Sequence, residues 1–173
     1  MQQANIFNSK ARIIKRSRLK KLVPENLLQQ ELAQRIFSYL EDELQNHSTK
    51  PISVLDIGSK SDHLVRLLWQ KFNIAKYIYA DASHKLATRF GKHLEYIRQD
   101  LASYSNTENI KIEIAEINEE DFQPNFQLEN NFEIVISMLN LGAVNNLPLF
   151  LSRVNNHLSS GGYSLPAFLI LVA

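Results

Sequence analysis

No cysteine occurs among the 173 residues, which excludes disulfides, thiolate zinc sites and a cysteine nucleophile. That absence is compatible with a reducing compartment, and the cytoplasm is the expected location. Acids are missing from the first 21 residues, where Lys10, Arg12, Lys15, Arg16, Arg18, Lys20 and Lys21 alternate with Ile6, Phe7, Ile13, Ile14 and Leu19. Such a basic amphipathic arm suits an acidic partner, RNA or anionic lipid, although charge runs are usually solvated faces. It also mimics an organelle transit peptide, but no cleavage site follows. Long apolar runs are lacking too: Pro166 to Ala173 is the longest candidate, far short of the roughly 20 residues that span a bilayer. Repeats and low-complexity tracts are absent.

What remains is ordinary globular composition, 45% hydrophobic and 21% charged with a net charge of +1, in a length that suits one domain. That balance gives no global reason to expect nucleic acid, and the basic arm has no aromatic stacking platform beside it. None of His47, His63, His84, His93 or His157 has metal-site spacing, so no metal is expected.

The chain is organised around Ile52 to Asp62, ISVLDIGSKSD. A run of β-branched and aliphatic residues without strict alternation predicts a buried parallel strand. Gly58 then permits a tight turn in which backbone can approach a ligand, and Ser61 or Asp62 can cap a helix running through Leu64, Val65, Leu67, Leu68 and Phe72. By itself this is plain α/β architecture.

Upstream, Pro24 and Glu25 open a helix with Leu28, Leu32, Ile36, Leu40 and Leu44 every four residues and Phe37 widening the stripe. Downstream, Ala75 to Ala80 predicts a second strand ending at Asp81, with Ser83 capping a helix through Leu86, Ala87 and Phe90. From Gly91 to Asn109 the pattern is mixed: His93 to Tyr104 is compatible with a helix and Ser105 to Glu108 with a loop. Ile110 to Ala115 alternates as a third strand before the acidic Glu116 to Asp121, and Phe132 to Met138 is apolar enough for a central strand. A loop, Asn140 to Asn146, leads to a helix carrying Leu147, Phe150, Leu151, Val154 and Leu158. Ser159 to Gly162 turn into a last strand from Tyr163. Successive βα units predict a parallel sheet with right-handed crossovers.

Together, the VLDIG loop, Asp81, Glu116 and the segment NNFEIVISMLNLGAVNNLPLFLSRVNNHLSSGGY resemble class I S-adenosylmethionine-dependent methyltransferases. The nearest likeness is to the branch of alphaproteobacterial methyltransferase-domain proteins and the mitochondrial complex I assembly factor. Its arm and first helix are similar to NIF with following basic residues and to ENLLQQELAQRIFSYLEDEL. The resemblance implies a Rossmann-like α/β fold, with S-adenosyl-L-methionine as cofactor and a methyl acceptor that the residues do not identify. It divides the chain into a basic arm, 1–24, and a methyltransferase-like domain, 25–173. The alternative is a non-catalytic assembly or scaffold protein that keeps the fold. A nicotinamide-binding domain is weaker, because the full dinucleotide glycine pattern is missing.

Residue by residue, the resemblance puts Asp56 and Gly58 beside the methionine end of the cofactor, Asp81 on both ribose hydroxyls, Glu116 near the adenine amino group and Ile117 against its ring. Without the family context, Asp81 reads as a helix-capping acid and Glu116 as one member of a solvated acidic run. Where the family has further glycines, this chain has Lys60 and Asp62. Asp62 there implies a like-charge contact with the cofactor carboxylate, which Lys60 partly offsets, so weakened or lost affinity is expected. Gly142 and Ala143 stand where the branch has histidine and tryptophan, leaving Asn140, Asn145 and Asn146 as polar candidates on the acceptor side. The family core also has two strands beyond the fifth. The chain is therefore expected to be truncated, with an uncovered edge that favours a protein partner or self-association.

Overall fold

In the computed structural model the described residues are 8, 10, 11, 13, 14, 27–44, 50–103, 107–117, 132–138, 144–158 and 168–172, the last group as backbone. Five strands form one sheet: β1 (Ile52–Ile57), β2 (Ile74–Asp81), β3 (Lys111–Glu116), β4 (Ile134–Met138) and β5 (Phe168–Val172). Their order is β3-β2-β1-β4-β5, and every pairing is parallel. Among the described residues the helices that accompany them are α1 (Leu27–Glu43), α2 (Asp62–Lys71), α3 (His84–Leu101) and α4 (Leu147–Asn155). The chain moves outward from β1 to β3, then returns to place β4 on the other side of β1. Open α/β sheets bind ligands outside the carboxyl ends of the strands at such a reversal, here beside β1.

Side chains alternate across the strands, and each sheet face therefore has its own core. Ile52, Val54, Tyr77, Tyr79, Ile134 and Ile136 pack with residues of α1, α2 and α3. Leu55, Ile57, Ile78, Ala80 and Val135 face the other way, toward Phe150 and Val154 of α4. On α1 the stripe holds through Ile36, Phe37, Leu40 and Leu44, all buried, whereas Leu28 is 60% exposed. Ser61 is the cap of α2, accepting from the Leu64 N–H at 3.0 Å, and Asp62 is already helical. In the arm, Lys10, Ala11, Ile13 and Ile14 are helical, with Asn8 Oδ1 accepting from the Ala11 N–H at 3.0 Å. Among the described residues, no helix is long and apolar enough to cross a membrane.

The predicted break near Gly91 does not occur: α3 is one helix of 18 residues. Gly91 looked like punctuation, but it is a point of close approach. A Cβ there would lie 2.5 Å from Ile114 Cδ1 on β3, which is inside van der Waals contact. Gly91→Ala gains up to about 1 kcal/mol of helix propensity and incurs an overpacking cost of about 1–3 kcal/mol. We expect a lower thermal midpoint for Gly91→Ala and recovery when Ile114→Val removes the offending methyl. Equal midpoints for wild type and Gly91→Ala would remove this account of the glycine.

Elsewhere the differences are at element ends. β3 is displaced by one residue, to Lys111–Glu116, and β4 begins at Ile134, with Phe132 making an isolated bridge to Leu158. β5 is described from Phe168, so Tyr163 and Pro166 lie outside the described residues, as does the acidic run beyond Ile117.

Candidate functional site

Two acids stand at the carboxyl ends of neighbouring central strands, Asp56 on β1 and Asp81 on β2, and both are fully buried. A buried carboxylate requires hydrogen-bond donors. For Asp56 these are the Ser59 N–H at 3.0 Å, the Ser59 hydroxyl at 2.5 Å and the Tyr77 hydroxyl at 2.7 Å. Burial still pushes the Asp56 carboxyl up from its ordinary value, against the bonds from Ser59 and Tyr77 and the charge of Lys60. Tyr77 is likewise driven well above the usual phenol value, by burial first and by Asp56 second. Asp56 thus ties the loop after β1 back onto β2.

Asp81 is held in the same manner. The Tyr79 hydroxyl donates to Oδ2 at 3.1 Å, and the Ser83 N–H donates to Oδ1 at 2.9 Å. Lys60 Nζ lies 3.7 Å from Oδ2. Tyr77 and Tyr79 are two residues apart on one strand, so they share a face and each phenol serves one acid. Neither was singled out from the sequence. The signal was present in YIYAD, where two hydroxyl-bearing aromatics alternate toward an acid.

Between the acids runs the loop 58–61. Gly58 has φ 68°, in the left-handed region where glycine is at ease, and Lys60 has φ 53°, where a side chain is not. Asp62, expected beside the cofactor carboxylate, is engaged by side chains of α2 and α3. Its Oδ1 faces His93 Nε2 at 3.0 Å and its Oδ2 accepts from Arg66 Nε at 3.3 Å. Arg66 reaches on to Asp100 at 2.5 Å, so this acid belongs to a surface network joining α2 to α3. The first turn of α2 projects Asp62 toward α3.

Glu116, at the end of β3, is exposed and lies 3.8 Å from His84 Nδ1. Ile117 follows it but is fully buried in the core on the α4 side, its N–H bonded to the Asp81 carbonyl at 3.2 Å. Asn146 caps α4, its Oδ1 accepting from the Leu149 N–H at 3.1 Å, while Asn145 beside it is half-buried. Asn140, Gly142 and Ala143 lie outside the described residues. Among the described residues, no group of three or more His, Asp or Glu side chains is placed to hold a metal ion.

No protein-family model matches the sequence, and no curated protein matches it. Solved structures do match. The plantazolicin methyltransferase BpumL, solved with a monoazolic desmethylPZN analog and SAH, aligns with TM-score 0.51 and 15% identity over 87% of this chain and 49% of that one. The cyclase SpnF aligns with TM-score 0.51 and 12% identity over 74% of this chain and 42% of that one. A Galdieria sulphuraria protein provisionally assigned as a sarcosine dimethylglycine methyltransferase aligns with TM-score 0.50 and 15% identity over 73% and 43%. The chain spans about half the length of the structures it matches. The class defined by strand order and likeness together is the Rossmann-like α/β fold of class I methyltransferases, as the sequence predicts. Because SpnF is a cyclase, that fold also hosts other chemistry.

Proposed function

We propose that the chain binds S-adenosyl-L-methionine across the carboxyl ends of β1 and β2 and is a methyltransferase, or a remnant of one, acting on an unidentified acceptor. The observation that carries this reading is the Asp81 carboxylate, fixed at the end of β2 by Tyr79 and Ser83 beside a loop that turns at Gly58. A carboxylate has paired acceptor oxygens that match a vicinal diol, so the donor chemistry fits a ribose. Gly58 would let backbone approach the amino-acid end, and Glu116, exposed at the end of β3, stands on the adenine side. When bound, the cofactor supplies an electrophilic methyl group on a sulfonium. Alignment and exclusion of water are then the protein's main tasks. Asn145 and Asn146 mark the acceptor side, with Asn140 assigned there from the sequence.

The complex I assembly-factor branch, the division at residue 24, the cytoplasmic location and association through the β5 edge belong to the same proposal. A non-catalytic scaffold that keeps the fold is the second reading. It is favoured by the full burial of both acids and by the cation lying on Asp81. Calorimetric titration of the full chain with S-adenosylhomocysteine tests the first reading, with saturable binding at one site expected. A folded chain that takes up no ligand would leave the scaffold reading.

A further inference from the structure

Lys60 stands in the loop after β1, beside the Asp81 carboxylate. Its backbone is left-handed, a conformation that disfavours a side chain and that glycine adopts freely. In that conformation its ammonium lies 3.7 Å from Asp81 Oδ2, with the lysine side chain 27% exposed and the aspartate side chain 0%. Asp62, the nearest other acid in the sequence, is engaged by His93 and Arg66. Asp81 therefore has a counter-charge supplied by its own chain.

We propose that Lys60 determines specificity by exchanging partners: it leaves Asp81 to a ribonucleoside's vicinal diol and pairs with an anionic group on that nucleoside's 5′ side. The inference rests on reading Asp81 as the ribose acceptor. A diol is neutral, so taking Asp81 from the ammonium leaves Lys60 beside the site with one close buried counter-charge fewer, Asp56 still acting on it. A ligand that carries its own carboxylate or phosphate restores the balance. Because β1 and β2 are adjacent, the loop bearing Lys60 borders whatever occupies Asp81. An uncharged nucleoside has nothing to offer this lysine. The preference is thus for an anion-bearing nucleoside, the anion being a carboxylate or a phosphate.

Two measurements on the full chain test this. In the first, amine-reactive labelling read by mass spectrometry follows Lys60 in wild type and in Asp81→Asn, with exposed Lys85 as the internal reference. Faster labelling of Lys60 in the variant is expected. Unchanged labelling, with wild type binding S-adenosylhomocysteine, would overturn the inference while sparing the cofactor reading.

In the second, wild type, Lys60→Gly and Lys60→Gln are titrated with adenosine, S-adenosylhomocysteine and adenosine monophosphate. Both variants are expected to bind adenosine about tenfold more tightly than wild type and to gain nothing for the anionic ligand that Lys60 serves. Carboxylate and phosphate are told apart by which of the two ligands fails to share the gain seen with adenosine. Parallel shifts for all three ligands would overturn the inference. Failure of every ligand to bind folded wild type and folded variants would remove it together with the cofactor reading.

Discussion

Alanine at Asp56 is expected to lower the stability of the chain by about 2–4 kcal/mol, read as the shift in urea midpoint at constant slope. The carboxylate receives the Tyr77 hydroxyl and both the hydroxyl and N–H of Ser59, all inside the fold. Its removal leaves these donors without an acceptor, and each orphaned buried donor costs about 1–3 kcal/mol. Release of a desolvated charge offsets part of that sum. Tyr77→Phe removes one donor and leaves the acid two, so it should cost less. The two substitutions should also be strongly non-additive, since both break the same bond. A loss below about 0.5 kcal/mol for Asp56→Ala would show that the network does not secure the loop.

The same acid gives the chain a pH dependence of definite sign. Burial raises the Asp56 carboxyl above its ordinary 3.8, so the folded chain holds this proton more tightly than the unfolded chain. The stability attached to it is complete below 3.8 and is lost as pH rises through the elevated folded value. Asp56→Asn cannot ionise and lacks that loss. Urea melts from acid to neutral pH should therefore show the stability gap between wild type and Asp56→Asn narrowing as pH rises. A gap that widens would reverse the assignment.

Asp81→Ala is expected to weaken S-adenosylhomocysteine binding by at least about 100-fold, with Asp81→Asn intermediate. Two hydrogen bonds from a diol to a charged acceptor contribute about 1.5–3 kcal/mol each, and alanine removes both. Asparagine keeps one acceptor oxygen and loses the charge. The variant also strands the Tyr79 hydroxyl and the Ser83 N–H, so thermal melting must accompany titration. Because Lys60 is partly exposed, water can take over its ammonium, and the fold should survive. Wild-type affinity in a folded Asp81→Ala chain would mean that the ligand is recognised elsewhere.

The sequence by itself determined the parallel sheet, because strand and helix periods differ and the strands were read in apolar runs closed by acids and caps. Asp56, Gly58 and Asp81 became candidate site residues through resemblance to a family, since by themselves they read as plain α/β architecture and a helix cap. Their partners were not legible in the same way. Tyr77 reaches Asp56 across 21 positions, and His93 reaches Asp62 across 31. Such pairings depend on strand register and on how α2 and α3 pack, both of which are long-range properties. Gly91 shows the same limit: locally it weakens a helix, yet in the fold it admits Ile114. Ile117 was assigned by resemblance, whereas its burial depends on which sheet face it joins. Charge was visible at Lys60 and Asp62, but direction was not. Tertiary structure decided that Lys60 faces Asp81 and Asp62 faces α3, because a side chain's target follows from its backbone angle and the element across from it.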